Sequence, residues 1–345
     1  MKNIKNKFGE GVIYEKEDLG NKIYATSAAC MSVWSDMLSY ANKYPEYFVD
    51  TPEVADSIIV LSCQVTDLAI LNDIKVAARL HELTNKPIYI GGCLAQRLDI
   101  PLPPFTRRLD VVREIGVELD DTSLVHYEPP FWVPDFKEED GELKDGHLFR
   151  NYYPLKLGAG CHGKCKYCTI RHTRGNVYTT EPESQIQEFL NHEHVVLTSD
   201  SPTVYQIKKW ALIAKETNKE ISIRNIEPQN LIQCESELLG LAELGLLDIV
   251  HCPVQSFDAR VLQAMNRSVD ATYKAIELMG RLHDLGVTTA TNIIIDYVVD
   301  GETIRNFDEE KLKKYFNYYS WNPYFDGNYD IMNAEMRFNK YILKK

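Results

Sequence analysis

Gly160-Cys161-His162-Gly163-Lys164-Cys165-Lys166-Tyr167-Cys168 places three cysteines at C-x3-C-x2-C spacing. The run before it, Pro154 to Ala159, leans apolar and reads as a strand, so the cysteines sit on the loop that leaves it. An odd number of thiols cannot pair completely into disulfides, and soft thiolates select zinc or iron–sulfur. A structural zinc site takes four ligands. Three thiolates suit a four-iron cluster with one iron left open to another molecule. A zinc loop with His162 or His172 as fourth ligand is the alternative.

Downstream of the loop, Val195–Thr198, Ile221–Arg224, Ile249 to Ser256 with its exit loop, and Thr288–Ile295 read as strands. Helices are predicted over Glu181–Leu190, with Thr179 and Thr180 as cap candidates, over Tyr205–Thr217, and near 235–244 and 271–285. Lys314–Tyr319 is the candidate for a sixth strand. Alternation at this spacing predicts parallel βα units. Upstream, Ile23–Thr26, Ser57–Leu61 and Pro87–Gly92 read as three strands, with helices over Trp34–Lys43 and Leu68–Leu83. The three strands deliver Cys30, Cys63 and Cys93 at their ends. In an open α/β sheet, ligands sit beyond the carboxyl ends of the strands, so these three thiols would converge although far apart in sequence.

The chain has 345 residues, 44% of them hydrophobic, which suits about two domains with ordinary cores. Residues 1–20 are polar and suggest no chemistry. Residues 99–150 carry Pro101, Pro103, Pro104, Pro129, Pro130 and Pro134 and the charged run Lys137–Asp145; a short helix and strand near 107–119 and then an extended linker are predicted there. No apolar run approaches the ~20 residues that span a bilayer, and no secretory h-region follows the basic first residues. Eight cysteines without an export signal read as reduced thiols or metal ligands in a cytoplasmic protein. A net charge of −12 excludes nucleic-acid binding over the whole surface and leaves room for a local basic patch. Cys234 and Cys252 fit neither cysteine set and read as buried thiols.

The C-x3-C-x2-C loop is similar to the signature of radical S-adenosylmethionine (SAM) enzymes, and the whole chain resembles one branch of them, the methylthiotransferases. Gly92-Cys93-Leu94-Ala95-Gln96 resembles that family's Gly-Cys-x-Ala-Gln, and Leu61-Ser62-Cys63-Gln64-Val65-Thr66 its Asn-Thr-Cys-x-Val-Thr without the Asn. Ala29-Cys30-Met31-Ser32-Val33 keeps the cysteine and the later Asp36 of the first motif but lacks its Gly and Asn. Arg174-Gly175, Glu183-Ser184-x-Ile186, Pro253-Val254-Gln255-Ser256, Val261-Leu262-x-x-Met265-x-Arg267 and Gly301-Glu302-Thr303 echo further family segments. The small RNA-binding β-barrel with which the family usually ends is expected to be absent, only a helix-like tail remaining.

The resemblance implies an α/β chain: an N-terminal open parallel sheet domain over 1–105, a connector over 106–150, and a partial (β/α)6 radical SAM barrel over 151–345. It implies two [4Fe–4S] clusters, one on Cys161, Cys165 and Cys168 and one on Cys30, Cys63 and Cys93, with SAM as co-substrate. Tyr167, Asp200, Arg224, Gln255 and Ser256 are the residues it places beside SAM. The family uses an electron to turn SAM into a radical that takes hydrogen from a C–H bond, and then inserts sulfur carrying a methyl group. The expected substrate is a modified adenosine in tRNA. A protein or peptide side chain, or a non-catalytic iron–sulfur or zinc module, is the alternative. A flavodoxin or ferredoxin as electron donor and a monomeric state complete the expectation.

Overall fold

The computed structural model describes residues 1–27, 29–110, 125–127, 148–149, 152–175, 177–330 and 334. Contacts gather them into two units. One lies within Met1–Pro134, Thr169–Gly175 and Phe325–Lys345, the other within Asp135–Cys168 and Asn176–Tyr324. The linear division read from the sequence counted Thr169–Gly175 and Phe325–Lys345 with the second domain. Most of the 107–119 prediction, the linker and the tail helix fall outside the described residues.

The first unit opens with an antiparallel hairpin, β1 (Lys2–Asn6) and β2 (Gly9–Ile13). Its centre is a five-stranded, all-parallel sheet of β3 (Ile23–Ser27), β4 (Ser57–Ser62), β5 (Ile88–Gly92), β6 (Thr106–Arg108) and β7 (Val125–Tyr127), in the order β6-β5-β4-β3-β7. All residues of β3, β4 and β5 are buried, which is why they read as continuous apolar runs rather than alternating ones. Helix α1 (Met31–Lys43) starts directly after Cys30, three residues before the predicted Trp34. Helix α2 (Asp67–Thr84) begins where the Thr66 hydroxyl accepts the Ala69 N–H at 3.1 Å and ends at Asn85 in the left-handed region. Its Ile70, Ile74 and Ala77 close on Ile58, Val60, Ile88 and Ile90. The one-turn helix α3 (Ile170–Thr173) belongs to this unit.

The second unit is a six-stranded parallel sheet of β8 (Tyr153–Lys156), β11 (Val195–Thr198), β12 (Ile221–Ile223), β13 (Leu247–His251), β14 (Thr288–Ile295) and β17 (Tyr318–Pro323). These strands neighbour one another in chain order with no reversal, the winding of a barrel and not of a doubly wound sheet. Between them lie two short antiparallel ribbons, β9 (Gly158–Ala159) with β10 (Tyr178–Thr179), and β15 (Tyr297–Val299) with β16 (Glu302–Ile304). The helices are α4 (Ile186–Asn191), α5 (Val204–Thr217), α6 (Pro228–Gln233), α7 (Glu235–Ala242), α8 (Ala259–Ala264), α9 (Val269–Asp284) and α10 (Glu309–Tyr315).

Three local expectations change. The predicted Lys314–Tyr319 strand straddles the end of α10; Asp308 caps that helix by accepting the Lys311 N–H at 3.1 Å, and the strand starts at Tyr318. The helix expected from Glu181 begins as a 3-10 turn over Pro182–Gln185, and Thr180 turns its hydroxyl to the Lys156 carbonyl instead of capping it. Residues 1–20, polar and given no element in the sequence, hold the β1–β2 ribbon. No helix among the described residues is long and apolar enough to cross a membrane.

Candidate active site

The six barrel strands run the same way, so the loops that leave them gather at one edge. The cysteine loop springs from this edge through β9. Gly160 lies at φ +83°, and a Cβ there would come within 3.0 Å of the Val177 backbone, so glycine lets the loop turn away from its neighbour. The Asp200 carboxylate, just past β11, accepts the Gly160 N–H at 2.7 Å and fixes the turn into Cys161. Within the loop, the Gly163 N–H points at the Cys161 sulfur at 3.1 Å. Burial pushes the Cys161 thiol up, while that N–H and a hydrogen bond with Ser201 pull the other way.

A second stretch clamps the loop from outside, and the sequence reading gave it no role. After α8, the Met265 carbonyl accepts the Lys166 N–H at 3.0 Å, and Asn266 Nδ2 donates to the Lys164 carbonyl at 3.0 Å. Arg267, whose side chain is 4% exposed, donates from Nη1 to the Tyr167 hydroxyl at 3.1 Å and to the Cys165 sulfur at 3.7 Å. From Nη2 it reaches the Pro253 carbonyl at 2.9 Å and pairs with Glu227 at 2.9 Å.

Tyr167 packs against Val261, Met265 and Tyr297, and burial pushes its hydroxyl well above the usual range. Arg224 is fully buried just beyond β12. Gln255 is held at φ +67° by backbone hydrogen bonds with Asn292 and Ile294, and its half-buried side chain makes no hydrogen bond among the described residues. Ser256 is different: its fully buried hydroxyl accepts from Asn306 Nδ2 at 2.7 Å and from the Asp258 N–H at 2.9 Å, so it serves the turn itself. Sequence reasoning also missed His251, the last residue of β13. Its Nδ1 accepts the Asn225 N–H at 3.2 Å, which leaves the ring hydrogen on Nε2, facing Asn292 Oδ1; Asn292 Nδ2 continues to Ser320. The signal for it was position: a polar residue ending an apolar parallel strand.

In the first unit the three remaining candidates do end adjacent strands. Register pairs Ser27 with Leu61 and Ser62 with Gly92, so Cys30, Cys63 and Cys93 leave β3, β4 and β5 at one edge. Gly92 is at φ +75°, and a Cβ there would meet the Ser62 carbonyl at 2.6 Å; only glycine brings Cys93 this near its neighbour strand. The Cys63 N–H is held at 2.7 Å by Asp73, a fully buried carboxylate whose other oxygen has no partner among the described residues. Burial, then the charge of Cys30, then Asp73 and Cys93 push the Cys63 thiol well up. Gln64, the next residue, donates to Thr169 and accepts from Arg97 Nη1 at 3.0 Å; Arg97 forks onto Asp99 at 2.8 Å twice.

All eight cysteines are free thiols, and Cys234 and Cys252 are buried as expected. Among the described residues no three His, Cys, Asp or Glu side chains close on a single ion position. His172 has its Nε2 beside Arg171 Nε at 2.9 Å and its ring edge-on to Phe8, while His162 is exposed. A four-iron cluster sets a looser demand than one zinc ion, because each thiolate reaches an iron of its own. Each triad has the three thiols that such a cluster would take, and bound iron would counter the burial and neighbouring charge that raise Cys63.

Residues 155–310 match the model of the radical SAM superfamily. The chain is 28% identical over 323 residues to the ribosomal protein uS12 methylthiotransferase RimO of Elusimicrobium minutum, covering 85% of this chain and 73% of that one. It is 24% identical over 333 residues to a tRNA-2-methylthio-N(6)-dimethylallyladenosine synthase of Rickettsia canadensis, covering 84% and 73%. The chain carries a radical SAM domain, and over most of its length it is similar to radical SAM methylthiotransferases. Among solved structures, the radical SAM methyltransferase TsrM of Kitasatospora setae superposes with a TM-score of 0.50 at 10% identity, covering 80% of this chain and 68% of that one, a likeness of fold alone. Radical SAM methylthiotransferases are enzymes that use SAM and [4Fe–4S] clusters, and so does this chain.

Proposed function

We propose that this chain methylthiolates a modified adenosine in tRNA, with one cluster on Cys161, Cys165 and Cys168 and a second on Cys30, Cys63 and Cys93. The observation that carries the two-cluster reading is the trio of strand ends: three neighbouring parallel strands are each followed within three residues by a cysteine, and Cys63 feels the charge of both others. When bound, SAM and the clusters supply the radical and the sulfur that an unactivated C–H bond requires. The chain's own share is placement. Asp200 and Arg267 fix the cysteine loop, Gln255 offers at the barrel edge an amide with no hydrogen bond among the described residues, Arg224 is buried just beyond β12, and Tyr167 is half-buried on the loop itself. A low-potential flavodoxin or ferredoxin supplies the electron, and the protein acts as a monomer.

A second reading, methylthiolation of a protein side chain, is favoured by the 28% identity to a ribosomal-protein enzyme and by the net charge of −12. Mass spectrometry of tRNA nucleosides and of ribosomal proteins, from cells with and without the chain, separates the two. A methylthio gain on an adenosine is expected. A gain on a peptide with unchanged tRNA would transfer the activity to protein.

A further inference from the structure

We propose that Arg267 is a positioning residue for the cluster of the Cys161–Cys168 loop. Its guanidinium holds Cys165 and Tyr167 in place and, through the N–H aimed at the Cys165 sulfur, raises the reduction potential of that cluster. The role rests on the cluster assignment given under Proposed function.

Arg267 meets the loop at two points, Cys165 and Tyr167, and is itself anchored at two others, Pro253 and Glu227. Such a fixed fork of donors is what arginine offers and lysine lacks. Burying the cation is costly unless it is paired, and Glu227, half-exposed at the start of α6, provides the counter-charge. The preceding residues make the approach rigid. Asn266 sits in the left-handed region and bonds the Lys164 carbonyl, and Met265 is fully buried with its carbonyl on Lys166.

Reduction adds an electron to the cluster, so a nearby cation and an N–H to the sulfur favour the reduced form and make the potential less negative. Glu227, paired with the other nitrogen of the same guanidinium, opposes this with its negative charge. The two residues therefore carry opposite signs, which a purely structural role would not produce.

The experiment is an EPR-monitored redox titration of the full chain, reconstituted anaerobically. It follows the signal that changes when SAM is added. Arg267→Gln should shift the midpoint to more negative potential, Arg267→Lys should shift it less, and Glu227→Gln should shift it the opposite way. Midpoints equal to wild type in the Arg267 variants, or shifts of the same sign in Arg267→Gln and Glu227→Gln, overturn the role. If Arg267→Gln takes up no iron, the Arg267→Lys and Glu227→Gln midpoints decide by the same signs. A wild-type chain with no SAM-responsive signal would instead refute the cluster assignment itself.

Discussion

The guanidinium of Arg174 closes on the carboxylate of Asp36, 138 residues earlier in the chain, and its second nitrogen reaches the Ser32 carbonyl at 3.4 Å. Both side chains are buried, at 1% and 7% exposure. The contact ties α1, which begins directly after Cys30, to the segment that follows Cys168 in sequence, inside one unit.

Breaking that pair strands a buried charge. Asp36→Ala or Arg174→Ala should each cost about 3–5 kcal/mol, read as a lower urea midpoint of the iron-free chain. The double change Asp36→Leu with Arg174→Met should cost clearly less than the sum of the single changes. Strict additivity would show that the two groups do not interact.

Iron content separates the two cysteine triads. Wild type reconstituted without oxygen should hold roughly eight irons per chain, and replacing either triad with alanine should leave about four. Only loss of Cys161, Cys165 and Cys168 should abolish reductive cleavage of SAM. Unchanged iron after replacing Cys30, Cys63 and Cys93 would eliminate the second cluster.

Gly92→Ala sets a methyl group 2.6 Å from the Ser62 carbonyl at a backbone angle hostile to side chains. A loss of about 1–3 kcal/mol is expected, together with iron falling toward the one-cluster level. Gly245→Ala, at φ +67° with nothing within 4 Å of the added carbon, is the control for backbone strain alone and should keep full iron.

Burial pushes the Cys234 thiol up to about 11 from an ordinary value of 9.0, and Cys252 is raised further still. Thiolate is the reactive form, so neither should react with iodoacetamide in the folded chain at pH 8. The same shift dictates a stability trend. The unfolded chain ionises these thiols first, so their contribution is present below pH 9 and is lost as pH rises toward 11. Peptide mapping and urea midpoints across that range check both statements; rapid labelling at pH 8 would contradict them.

Much of this architecture was readable in advance because local patterns carry it. Continuous apolar runs at Ser57–Ser62 and Ile88–Gly92 mark buried parallel strands, and cysteines at fixed offsets from them mark their ends. What stayed hidden has no local signature. Asp36 and Arg174, or Arg267 and Cys165, are partners only once the chain has folded. Asp200 was expected beside SAM, and the structure shows its carboxylate on the Gly160 N–H. The sixth strand was placed too early because Lys314 and Tyr315 continue a helix whose start is set by Asp308. The β1–β2 ribbon is mostly polar and exposed, so no hydrophobic period announces it.

Thr169–Gly175 is counted with the N-terminal residues, whereas the stretches on either side of it are not. A recombinant fragment starting at residue 151 would carry Arg174 with its cation severed from Asp36, and a fragment ending at 150 would leave Asp36 and Gln64 with empty seats. Dissection of this enzyme by simple truncation should therefore yield aggregates. A split that moves both the heptapeptide and Phe325–Lys345, on short tethers, to the amino-terminal piece is the one that follows the two units.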